Sequence, residues 1–143
     1  MRRCMLTLTF LFALTACGSR STAPNPQNAS IAGTWHLQTC DGQPLPCVIQ
    51  SGDWKISVTA DEITVINGGT WSHTMTVSVV INGGAPQQQV ANDGGTWARS
   101  GANVVLTSPT SGITNATFTG STFVIADTSG TAIYSRSRTS RSP

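Results

Sequence analysis

From Ile31 to Arg136 the chain alternates apolar and polar side chains in short runs, each ending in a cluster of turn residues. A period of two is the mark of strands that bury one face. The opening run sets Ile31, Gly33, Trp35, Leu37 and Thr39 on one face, with Ala32, Thr34, His36 and Gln38 on the other. The cleanest run sets Trp71, His73, Met75, Val77, Val79 and Ile81 against Ser72, Thr74, Thr76 and Ser78. Between them, Asp53–Thr59 alternates, Asp61-Glu62 bends or bulges the strand, and Ile63–Val65 continues it. Asn67-Gly68-Gly69 and Asn82-Gly83-Gly84 are hairpin signals. The segment 87–99 returns, with a kink or bulge expected at Gly94-Gly95. Runs at 104–107, 113–119, 122–127 and 131–136 complete the set, and no stretch beyond residue 30 has a helical period.

Taking 53–66 as one interrupted strand, the count is eight. Eight short antiparallel strands on short turns are best satisfied by an all-β, up-and-down barrel, since closure removes both unpaired edges. A two-sheet sandwich is the alternative, but its long Greek-key crossings are not seen. Gly33-Thr34-Trp35 recurs at Gly69-Thr70-Trp71 and Gly95-Thr96-Trp97. A glycine two positions before a tryptophan suits a strand start where backbones approach and a large ring plugs the core.

The N-terminus follows another logic. Met1-Arg2-Arg3 is a positive n-region, and Met5 to Ala16 is an apolar stretch too short to span a bilayer, which needs about 20 residues. It ends Leu14-Thr15-Ala16-Cys17, which resembles the lipobox of bacterial lipoproteins. That resemblance implies cleavage after Ala16, loss of 1–16, and acylation of Cys17 by palmitate-type chains. Two or more chains anchor stably where one does not. Gly18 after the cysteine, rather than aspartate, implies outer-membrane sorting. The segment 17–30, with Pro24 and Pro26, reads as a flexible tether, 31–136 as the folded domain, and 137–143 as a disordered tail.

Composition narrows the function. Charged residues make up 10% of the chain, far below the roughly 25% usual in soluble domains. Without Arg2 and Arg3, six Lys/Arg face six Asp/Glu, so the exported chain is neutral. The basic cluster Arg136, Arg138 and Arg141 lacks interleaved aromatics, which argues against nucleic acid. With Cys4 removed and Cys17 acylated, Cys40 and Cys47 remain as a pair in an oxidising compartment, and a disulfide is expected. Its short loop contributes on the order of 2.5 kcal/mol in the chain-entropy account. A metal site from His36, Cys40 and Cys47 with His73 would match no structural zinc spacing.

A further resemblance rests on Gly33-Thr34-Trp35-His36-Leu37 followed by Asp41-Gly42-Gln43-Pro44-Leu45-Pro46. With the later Gly-Thr-Trp copies and turns such as Ser100-Gly101-Ala102-Asn103, it is similar to short lipocalin-like bacterial lipoproteins across about residues 31–136. The resemblance implies that a last-strand arginine, Arg136 or in its place Arg138, stacks on Trp35 beside Gly33 to seal one barrel end. It also implies an apolar binding mode; Trp71, His73, Met75 and Val77 are the expected lining of a small apolar ligand or lipid site.

No nucleophile elbow, zincin motif or phosphate-cradling loop is present, so no catalytic residues, metal or cofactor are expected. Asp61 and Glu62 are adjacent, so on an extended strand they point to opposite faces and make a poor acid–base pair. Tyr134 could face a pocket or the solvent. The competing reading is an interaction or inhibitor module with a filled barrel. A cavity above roughly 300 Å³ favours the ligand, and a packed interior favours the partner.

Overall fold

The computed structural model describes residues 30–50 and 53–136. The expected signal segment, Cys17, all of the tether but Ser30, and the tail lie outside the described residues. Among the described residues ten strands run in order: β1 Gly33–Cys40, β2 Gln43–Pro44, β3 Cys47–Gln50, β4 Trp54–Ile66, β5 Thr70–Ile81, β6 Gln87–Ser100, β7 Asn103–Ser108, β8 Gly112–Phe118, β9 Thr122–Asp127 and β10 Gly130–Arg136. Each of β4 to β9 pairs antiparallel with the next, and β1 closes the circle between β10 and β4. Trp35 lies opposite Arg136 on one side and opposite Ile63 on the other. The result is a single closed sheet of eight principal strands, as the alternation predicts, and not two stacked sheets.

Two strands escape the sequence reading. β2 and β3 are the legs of the arm between Cys40 and Cys47, pairing with β1 at Thr39 and Cys40 and with β4 at Ile56–Val58. A two-residue strand beside prolines leaves no periodic signal. The turn at the arm's root was readable: Asp41 and Gly42 both take positive φ, 49° and 76°, as a mirror-image hairpin turn requires. Cys40 and Cys47 form a disulfide with their Cα atoms 6.2 Å apart.

The interior is filled most densely at one end. Trp35, Phe118, Phe123, Ile63, Leu106, Val65 and Val104 are fully buried. Trp35 stands edge-on to Phe118 at 5.6 Å and tilted against Phe123 at 5.9 Å, and its Nε1–H donates to the Ile31 carbonyl at 2.9 Å. Two guanidinium groups lie over this aromatic floor, Arg136 4.6 Å from the Trp35 ring centroid and Arg99 4.5 Å from that of Phe118. The Arg136 guanidinium also donates to the Ser30 carbonyl, and burial pulls its pKa down.

Register slips decide which side chains face inward. In β4 the pairing shifts between Val58 and Ala60, so inward positions change from Ile56 and Val58 to Asp61, Ile63 and Val65. In β1 a shift between Leu37 and Thr39 moves Thr39 off the face it was expected to share with Trp35. Cys40 takes the inward place and packs on the core. The pair Gly94-Gly95 makes no bulge, contrary to expectation; β6 runs through it in unbroken register with β5. The glycines serve close approach instead. A Cβ on Gly94 would lie 2.9 Å from the Trp71 carbonyl oxygen, and one on Gly95 only 1.9 Å from that of Thr107.

Candidate functional site

The far end of the barrel, opposite the aromatic floor, is ringed by the β1–β2 turn, the β9–β10 turn and the middle of β4 and β5. A cavity of about 190 Å³ opens there. Leu37, Val58, Met75, Ile125 and Ala132 form its apolar walls, and Asp61 and Tyr134 reach it from within. Asp41 and Asp127 stand at its rim. Asp41 Oδ1 accepts from the Thr131 amide at the start of β10 at 2.7 Å, which ties the β1–β2 turn to the β9–β10 turn, and Asp127 Oδ1 accepts from the Ser129 amide of its own turn at 2.6 Å.

Asp61 is the centre of this site, a carboxylate only 8% exposed inside the barrel. Its Oδ1 meets His73 Nε2 at 2.8 Å, and its Oδ2 accepts from the Tyr134 hydroxyl at 3.2 Å. Both oxygens are therefore satisfied, which is the condition for burying a charge. Three strands meet in this contact, β4, β5 and β10. The Asp61 hydrogen bond raises the His73 pKa, with Coulombic help from Asp61 and from Asp93, while burial opposes the rise. Burial and the Asp61 charge push the Tyr134 phenol well above its ordinary value, so it stays a donor.

Beyond this network a second cavity of about 180 Å³ is lined by Ile63, Trp71, His73, Asp93, Leu106, Ser111, Thr114, Ile125 and Tyr134. Asp93 faces His73 across β5 and β6. Its carboxylate accepts from the Ser108 hydroxyl at 2.6 Å and from the Gly94 amide at 2.8 Å, and the Ser108 and Ser111 hydroxyls chiefly hold its pKa down. This contact ties β6 to the β7–β8 turn where backbone pairing between β6 and β7 has already ended.

The structure divides the four expected lining residues. Met75 faces the mouth cavity, Trp71 and His73 face the inner one, and Val77 sits in the core cluster lining neither. Trp71 is fixed by its Nε1–H donating to the Thr96 carbonyl at 3.0 Å. Gly33 lies against Arg136, where a Cβ would come 3.6 Å from Nε. His36 sits on the outer surface 3.4 Å from Glu62, far in role from His73. With Cys40 and Cys47 in a disulfide, the four residues of the metal alternative are not gathered in one place.

Sequence reasoning passed over Asp61, and it left Tyr134 undecided. The sequence places the bend at Asp61-Glu62, whereas the slip lies earlier, between Val58 and Ala60, and the signal that locates it is the change of apolar parity from even at Ile56 and Val58 to odd at Ile63 and Val65. That change demands a slip between them, and the slip turns Asp61 inward. Chemically, the network is a buried carboxylate holding an imidazole and a phenol in fixed directions. Among the described residues the side-chain partner of His73 is Asp61. Comparison with protein-family models, with curated proteins and with solved structures finds no match to this chain.

Proposed function

We propose that this chain is a lipid-anchored envelope protein whose lipocalin-like barrel binds one end of a small apolar molecule at its mouth. The observation that carries the reading is the apolar-walled cavity over the Asp61–His73–Tyr134 network. At about 190 Å³ it is smaller than the roughly 300–1,000 Å³ of pockets that enclose a drug-sized ligand. An acyl terminus or a small ring fits within, and the rest of the molecule stays outside. There the inner face of the β4–β5 ribbon continues the wall through Ile56, Trp54 and Ile81. The charged groups lining the mouth are Asp41, Asp61 and Asp127, with no basic side chain among them. Neutral or cationic polar ends are favoured over a carboxylate.

Native mass spectrometry and calorimetry with decanol, decylamine and decanoate test this. One-to-one binding is expected for the first two, and Met75→Trp, which fills the cavity, should weaken it at least tenfold without unfolding the barrel. If none of the three binds, the ligand reading falls. For the anchor, the exported protein should carry acyl mass at Cys17 and partition into detergent; an unmodified Cys17 in the water phase would overturn it.

The second reading, an interaction or inhibitor module, is favoured by the filling of the interior. Among the described residues seven large side chains are fully buried, and the mouth cavity and the one beneath it both fall below the size of an enclosing pocket. Failure of the whole ligand panel would leave this reading in place.

A further inference from the structure

The barrel is closed along only part of its length. Strands β4, β5 and β6 run 13, 12 and 14 residues, whereas β7 to β10 have six or seven. Backbone pairing between β6 and β7 begins at Thr96. The stretch Gln87–Asn92 is paired with β5 on one side and, among the described residues, with no strand on the other. All six residues are exposed. Natural edges of this kind are usually blunted by lysine, proline, inward charges or bulges. Gln87-Gln88-Gln89-Val90-Ala91-Asn92 has none of these, and its register with β5 is unbroken.

We infer that the Gln87–Asn92 edge of β6 is a pairing surface for the same edge of a second copy of this chain, joined antiparallel about a two-fold axis through Val90. The composition selects that occupant. In this register Val90 faces Val90 of the second copy, and Gln88 faces Asn92 of the second copy. All lie on the outer face, opposite Ser78, Thr76 and Thr74 of β5. An exposed valine, 59% accessible, gains an apolar partner, and the flanking amides can hydrogen-bond to each other. No like charges meet, since the segment carries none. A two-fold contact of this kind uses one patch twice and stops at the dimer.

Sedimentation of the purified protein over a concentration series tests the inference, with cross-linking to fix the register. A reversible dimer is expected. Val90→Lys should convert it to monomer, and at protein concentrations too low for the dimer to form its melting temperature should match that of the wild type, because Val90 is exposed and contributes little to the core. Val90→Cys should yield a disulfide between the two copies at position 90, since directly opposed Cα atoms stand about 4.5–5.5 Å apart. Gln88→Cys should not link to itself. A monomer at every concentration, a dimer that survives Val90→Lys, or self-linking of Gln88→Cys equal to that of Val90→Cys would each overturn it.

Discussion

Trp35→Ala is expected to destabilise the barrel by about 4 kcal/mol, the upper range for removing a large aromatic ring from a core. Several losses coincide at this position. The indole has no solvent exposure, and it packs on Phe118 and Phe123, so its removal leaves a void bounded by rigid rings. The Ile31 carbonyl loses its donor, and Arg136 loses the aromatic face beneath its guanidinium. Because β1 is the strand that closes the circle between β10 and β4, loosening it also loosens closure. Denaturant unfolding followed by Trp54, Trp71 and Trp97 fluorescence measures the effect. A loss below about 1 kcal/mol would show that the ring is a passive filler.

The second large effect belongs to Asp61. Asp61→Asn keeps the size of the side chain but removes the charge that holds His73 and Tyr134. Breaking a buried pair by changing one partner costs about 3 kcal/mol or more, and that is the loss expected at pH 6. The pH dependence separates this from a packing defect. The folded-state pKa of His73 is raised above its ordinary 6.5. A raised basic group contributes stability that is fully present below the unfolded value and disappears as pH climbs through the folded one. Wild-type stability should therefore fall as pH rises from 6.5 through the raised value, and the variant's curve should be flatter. The gap between the two proteins narrows over that window. Parallel curves would remove His73–Asp61 as the cause.

Much of the fold could be read from neighbouring residues alone. Alternation in 71–81 marks β5 and its inward face, and the Asn-Gly-Gly and Asp41-Gly42 turns mark hairpins because few residues tolerate positive φ. The barrel followed from counting such runs, and the Cys40–Cys47 disulfide from eliminating the other cysteines. The site was harder to see. His73 was visible as a polar residue on an apolar face, yet its acid was dismissed, since Asp61 beside Glu62 looks like surface in a regular strand. Arg99 over Phe118 left no trace, because a cation–π contact between β6 and β8 has no fixed spacing in sequence.

What the sequence by itself determined is therefore the local geometry: strand, turn, and which residues alternate, each governed by backbone sterics within a few positions. The tertiary structure alone decided three other things: the direction Asp61 faces, the size of the space above it, and the length of β6 left unpaired. Each depends on register between strands distant in the chain, where one residue of slip reverses a face. Side-chain volumes from strands on every side of the barrel together set how much room remains.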